Sequence, residues 1–115
     1  MPQITLITNL EYSPNEQVAF RKQLSAKLAQ WLNKPEAFCM VVANFGSGVA
    51  FAGTDDPAAT IEISSLGLPE ESLSELTQDI CTFMNTSLQI DPARLYVRFF
   101  SPPRTHWGWN GKTFG

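Results

Sequence analysis

The chain has 115 residues, 43% of them hydrophobic and 17% charged, with a formal net charge of −3. That length suits one domain spanning residues 1–115, which buries roughly two thirds of its surface, so self-association would add burial and create room for a pocket between chains. No run of Lys or Arg tracks a phosphate backbone, which argues against nucleic acid, and no segment approaches the roughly 18 apolar residues of a membrane span.

The first strand signal is Ile4-Thr5-Leu6-Ile7-Thr8, dominated by apolar and β-branched residues. A helix start follows at Ser13-Pro14-Asn15-Glu16. Ser13 caps, Pro14 suits the first helical position, and Glu16 completes a capping box. Phe20, Leu24, Leu28, Trp31 and Leu32 recur at spacings of three and four and share one face. Asn33-Lys34-Pro35 stops the helix, because the residue before proline avoids the helical region. Phe38-Cys39-Met40-Val41-Val42 reads as a second strand, apolar on both faces.

Gly46-Ser47-Gly48 reads as a flexible turn and Gly53-Thr54-Asp55-Asp56-Pro57 as a loop. The plan then repeats. Thr60-Ile61-Glu62-Ile63-Ser64 alternates with period two and predicts a strand. Ser72-x-x-Glu75 predicts another capping box, with Pro69 a candidate start one turn earlier. Leu73, Leu76, Ile80, Phe83, Met84 and Leu88 form an apolar stripe, Asp91-Pro92 ends the helix, and Leu95 to Phe100 predicts a strand. In the tail, Trp107-Gly108-Trp109-Asn110-Gly111-Lys112-Thr113-Phe114 reads as a short strand and turn, with Asn110-Gly111 as the turn signal.

The halves align at an offset near 57 residues, for instance Lys34-Pro35 with Asp91-Pro92. Two βαβ units related by a pseudo-twofold axis follow from this. The strands of each unit should be parallel, giving an α/β (α+β) fold with a four-stranded sheet and two helices on one face. Two helices leave the second face uncovered, and another copy of the chain is the simplest cover. The tail aromatics, with no partner in the repeat, are expected at a subunit edge.

Cys39 and Cys81 are the only cysteines and His106 the only histidine. They make no CxxC and no zinc spacing, so two buried thiols and no metal or organic cofactor are expected. The N-terminus lacks the basic region and apolar block of a signal peptide, so the expected compartment is the cytoplasm, and secretion without a signal peptide is compatible with that. The Met1-Pro2 start carries a chemical option. Removal of Met1 would leave a secondary amine at the head of a strand. An exposed α-amine titrates at about 7.7–8.0. An apolar pocket and nearby cations would lower that value and make Pro2 a neutral base at physiological pH. Tyr96 and Arg98, two apart on a strand, project from one face and suit an aromatic keto acid.

Pro2, Thr8-Asn9, Lys34-Pro35, Ala50-Phe51, Ser65-Leu66-Gly67, Pro92-x-Arg94-x-Tyr96 and Gly108-Trp109-Asn110-x-x-Thr113-Phe114 together resemble the macrophage migration inhibitory factor (MIF) family of the tautomerase superfamily, almost end to end. The resemblance implies a homotrimer, three sheets forming a barrel-like core inside six helices, with active sites between subunits. It implies Pro2 as proton shuttle, Lys34 as the cation that holds a substrate carboxylate and depresses the Pro2 pKa, and Ser65 and Leu66 as backbone and apolar wall. Tyr96 would line the pocket from the neighbouring subunit, with Trp109 and Phe114 packing nearby. Three positions depart from the animal members. Position 98 is Arg rather than Asn, a second cation able to grip a carboxylate with two hydrogen bonds. Phe38 replaces a tyrosine and lacks its hydroxyl, and Trp107 replaces a small aliphatic residue and narrows the pocket. The CxxC of the animal cytokines falls on Ala58-Ala59-Thr60-Ile61, so thiol–disulfide activity tied to that motif is not expected.

The function implied is an isomerase: a phenylpyruvate keto–enol tautomerase, with dopachrome analogues as further substrates. The alternative is a cytokine mimic or signalling protein that binds a host receptor through contacts the sequence does not show, its pocket a relic. A third option is another reaction on the same fold, such as dehalogenation or decarboxylation.

Overall fold

The computed structural model describes residues 1–115. Strand β1 (Pro2–Thr8) runs into helix α1 (Pro14–Leu32) and then strand β2 (Met40–Asn44). Strand β3 (Ala59–Ser65), helix α2 (Leu73–Leu88) and strand β4 (Leu95–Phe100) repeat that order, and a two-residue hairpin, β5 (Gly108–Trp109) and β6 (Lys112–Thr113), closes the chain. The sheet order is β2-β1-β3-β4. Each βαβ unit is internally parallel, β1 with β2 and β3 with β4, while the units join through antiparallel β1 and β3. The duplicated four-stranded sheet is the one the repeat predicts, and the antiparallel join that makes it mixed comes from the structure.

Alternation in the strands decides which face the helices cover. Pro2, Ile4, Leu6 and Thr8 of β1 and Ala59, Ile61, Ile63 and Ser65 of β3 are buried on one face. Phe20, Leu24 and Leu28 of α1 and Leu76, Ile80 and Met84 of α2 pack with the apolar members of that set into one core. Gln3, Thr5, Thr60, Glu62 and Ser64 fall on the opposite face by period two. So do Met40 of β2 and Tyr96, Arg98 and Phe100 of β4, all exposed. The open face is therefore mixed in polarity rather than uniformly apolar, with large exposed apolar side chains gathered on the two edge strands.

Several boundaries differ from the sequence reading. Residues 36–38 form a 3-10 turn, and β2 begins only at Met40, so Phe38 stands before the strand. The turn is closed by Phe38 N–H donating to Pro35 O (3.1 Å) and Cys39 N–H to Glu36 O (3.0 Å). Ser72 makes no side-chain cap, because residues 70–72 already wind as a 3-10 turn that feeds α2 and orients Ser72 away from extended capping geometry. Helix α2 ends at Leu88 on a left-handed Gln89 (φ 57°), and Asp91 instead caps the next 3-10 turn by accepting from Ala93 N–H at 2.9 Å. The glycine-rich 46–48 turn is tied to the end of the first strand, with Gly46 N–H donating to Leu10 O (2.7 Å) and Ser47 N–H to Thr8 O (3.0 Å). Both cysteines are free and half-buried, and burial pushes each thiol up.

The first capping box is complete. Glu16 N–H donates to Ser13 Oγ (3.2 Å) and Ser13 N–H donates to Glu16 Oε1 (3.0 Å). These bonds to Ser13 hold the Glu16 carboxyl below the usual glutamate range. A depressed carboxyl contributes stability above its unfolded pKa and loses that contribution as pH falls through the folded value. Ser13→Ala should cost roughly 1 kcal/mol in urea denaturation at neutral pH. Most of that deficit should persist on acidification, because the Glu16 N–H to Ser13 Oγ bond it removes does not titrate. The deficit of Glu16→Ala should instead shrink as pH falls through the glutamate range. An acid-independent Glu16→Ala deficit would rule out the ionised carboxyl's bond to Ser13 N–H as its source.

Candidate functional site

Pairing of β1 with β3 sets Pro2 opposite Ser65. Both side chains are fully buried on the helix side of the sheet. Ser65 Oγ donates to Leu66 O at 3.3 Å, and Leu66 follows half-buried at the strand end. Lys34 reaches the same end of the sheet from α1. Left-handed Asn33 (φ 52°) turns the chain, and Lys34 N–H donates back to Ala29 O at 3.0 Å. The Met1 α-ammonium titrates below the ordinary value, first because burial disfavours its charge and then because Lys34 adds like charge; Cys39 opposes the shift. Pro2, Lys34, Ser65 and Leu66 are thus gathered about the chain's N-terminus.

The tail supplies an aromatic group. Asn110 (φ 53°) and Gly111 (φ 85°) form the predicted tight turn between β5 and β6. Trp109 meets Phe38 edge-on at 5.9 Å and lies parallel to Phe114 at 6.3 Å. Phe114 is fixed by its N–H donating to Trp107 O and Arg104 O, both at 3.2 Å. The 3-10 turn therefore joins Phe38 to the tail, an outcome that a strand placement would not give.

Tyr96 and Arg98 do not join Pro2 within one protomer. Their strand face is the open one, whereas the Pro2 ring faces the helices. Tyr96 packs against Phe51 at 5.0 Å. Arg98 donates to Glu62 at 2.6 Å and lies over Phe100 at 5.8 Å. The guanidinium thus already has a carboxylate partner. A further cleft lies between α1 and α2, lined by Lys27, Trp31, Glu75, Asp79 and Phe83 among others, and contains none of the candidate site residues. No group of three or more His, Cys, Asp or Glu side chains could hold a metal ion.

Sequence reasoning passed over three participants. Glu62 pairs with Arg98 across β3 and β4, whose register sets them side by side. Phe51 and Arg94 were visible as parts of motifs, but neither had a role. Their signal was a phenylalanine in a loop and an arginine with no acid four residues away.

Duplicated βαβ units around an antiparallel seam, with a buried proline heading the first strand, define an α+β class of protein. The family model for macrophage migration inhibitory factor matches residues 1–115, and the chain belongs to that family. A homologue of the factor from Trichuris trichiura is 34% identical, over 99% of this chain and 100% of its own length. The mouse factor is 29% identical, over 99% of both. The crystal structure of a homologue from Prochlorococcus marinus superposes with a TM-score of 0.88 at 31% identity, covering 98% of this chain and 99% of that one. No helix here is long and apolar enough to cross a membrane.

Arg98 and Glu62 retain 54% and 39% side-chain exposure. Exposed pairs contribute about 0–1 kcal/mol. In a lone protomer Arg98→Ala should therefore shift urea-derived stability by less than about 1 kcal/mol. A loss of several kcal/mol is expected where a neighbouring chain covers the open face and desolvates the pair.

Proposed function

We propose that the protein is a homotrimeric keto–enol tautomerase acting on phenylpyruvate-like acids, with Pro2 as base after removal of Met1. The observation that carries this reading is the buried Pro2 at the head of β1, beside the Met1 α-ammonium whose pKa burial and Lys34 lower. A Pro2 amine freed at the same end of the sheet would meet the same two influences, and both favour its neutral, basic form. Pro2 nitrogen takes a proton from the carbon beside the carbonyl. The C–H electron pair forms the C=C bond, and the proton is delivered to the carbonyl oxygen to give the enol. The reverse transfer regenerates the keto form. No cofactor is required for this exchange.

Lys34 binds the substrate carboxylate, Ser65 and Leu66 wall the pocket, and Phe38, Trp107, Trp109 and Phe114 enclose the aromatic ring. Tyr96 and Arg98 come from a neighbouring subunit. Two features support an intersubunit site: they lie on the open face, and the exposed apolar side chains Met40, Tyr96 and Phe100 sit on the edge strands where a second chain would cover them. One domain over residues 1–115 suffices, because the whole chain takes part in one sheet, its helices and its tail.

The test is a spectrophotometric phenylpyruvate assay on protein whose N-terminus has been checked by intact mass. Pro2→Gly and Met1-retaining protein should both lose at least a hundredfold in kcat/KM, within the usual worth of a general base, about 10²–10⁴. Full activity with Met1 attached, where the Pro2 nitrogen is an amide, would end the mechanism. Sedimentation should give a trimer, and a mass near one chain of 12.8 kDa at micromolar concentration would remove the intersubunit site.

The active base is the neutral amine, so kcat/KM should rise with pH through the Pro2 pKa and then level off. Half-maximal activity should lie below about pH 7.7, the lower edge for an ordinary α-amine. Arg98→Ala should raise KM for carboxylate substrates more than it lowers kcat and move the inflection upward. An inflection near pH 8 that ignores Arg98 would contradict a site tuned by these cations.

A further inference from the structure

Arg94 has no carboxylate partner, yet four of its N–H···O bonds end on one short loop. Nε donates to Pro57 O (2.9 Å), Nη1 to Phe51 O (3.1 Å), and Nη2 to Thr54 O (3.3 Å) and Asp56 O (3.0 Å). The guanidinium carbon also lies 5.4 Å from the centre of the Phe51 ring. Inside the loop, Phe51 and Thr54 exchange both backbone bonds, at 2.9 and 3.1 Å. The two residues between them, Ala52 (φ 54°) and Gly53 (φ 77°), are both left-handed. Alanine disfavours that conformation, so surrounding contacts must hold the turn. Asn9 holds its other side, donating to Val49 O, Asp55 O and Asp56 O at 3.0–3.1 Å and accepting from Ala58 N–H at 3.1 Å.

Phe51 also meets Tyr96, edge-on at a centroid distance of 5.0 Å. Tyr96 is 63% exposed on the open sheet face, and Phe51 is the only aromatic ring against it. We propose that Arg94 is a positioning residue, which fixes the Phe51 turn so that the Phe51 ring braces Tyr96 in a single orientation. The proposal's bearing on catalysis rests on the reading above, in which Tyr96 lines the substrate pocket. Arg94 does not touch substrate in this account. It acts through a fixed loop and one ring, and its planar fork of donors suits several carbonyls where a lysine ammonium cannot span them.

The experiment compares wild type, Arg94→Lys, Arg94→Met, Phe51→Leu and the Arg94→Met/Phe51→Leu double variant, all with Met1 removed. Two quantities are read: the NMR shifts of the Tyr96 ring protons, and phenylpyruvate kinetics. In both Arg94 variants the Tyr96 shifts should move at least halfway towards those of Phe51→Leu, as the ring current of Phe51 is lost. KM should rise threefold or more while kcat stays within twofold, the pattern of lost uniform binding. The double variant should be no worse than Phe51→Leu alone, because the two residues act in series. Arg94→Lys keeps the charge and stands in if Arg94→Met does not fold. Tyr96 shifts that stay at wild-type values in a folded Arg94 variant would overturn the proposal, as would multiplicative effects in the double variant. An inactive wild type would instead refute the tautomerase reading, and the Tyr96 shifts would still decide the role of Arg94.

Discussion

The antiparallel seam between β1 and β3 is the constraint on which the structure depends. Seven residue pairs run from Pro2 opposite Ser65 to Thr8 opposite Ala59. The seam joins two parallel βαβ units that would otherwise be separate, and it leaves β2 and β4 as the edges. Its register also settles where chemistry is available. A shift of β1 by one residue against β3 would turn Pro2 to the open face and expose Ile4 and Leu6 with it. Burial of those two core side chains thus fixes the position of the first proline as firmly as any local contact does. At the other end, Thr8 Oγ1 donates to Ala58 O at 2.7 Å, pinning the seam where β3 begins.

Much of the fold was legible because duplication made each half a check on the other. The α1 cap, the apolar stripes and the strand alternation all carry strong local signals. Where the reading failed, a local pattern had two solutions. Phe38 to Val42 is apolar enough for a strand, yet Pro35 favours a 3-10 turn through Phe38, and β2 starts two residues later. Ser72-x-x-Glu75 has the spacing of a capping box, but Glu70 and Glu71 already belong to a 3-10 turn that leads into α2. Gln89 in a left-handed C-cap ends α2 ahead of Asp91-Pro92, a position where glycine or asparagine is the usual signal.

The candidate site was legible to a different degree. Pro2, Lys34, Ser65 and Leu66 follow from the family resemblance, and the β1–β3 register sets Pro2 opposite Ser65 at one end of the sheet. The contacts of Phe38 with the tail depend on a turn that the sequence concealed. Pairings across the open face depend on register between β3 and β4, which periodicity does not give. Arg98 reads as a free cation until Glu62 is found beside it, and Arg94 reads as a surface charge until the carbonyls of a distant loop surround it.

The two arginines of the fourth strand region show why position alone does not assign a role to a charge. Arg94 directs its donors to four backbone carbonyls, so it is poorly suited to receive an anion. Arg98 is paired through one nitrogen to a single exposed carboxylate, and its other donors remain free. An incoming carboxylate could join or displace Glu62 at small cost in the isolated protomer, where the pair is weak. Once another chain covers the open face, the same exchange would leave Glu62 desolvated and unpaired, at a cost of several kcal/mol. Lys34 forms no ion pair at all. On the proposed reading an anionic substrate therefore binds first to Lys34, and Arg98 contributes only as far as Glu62 stays hydrogen-bonded. The selectivity of the site for acids would then be set by the pair Glu62–Arg98 taken together, not by the arginine alone.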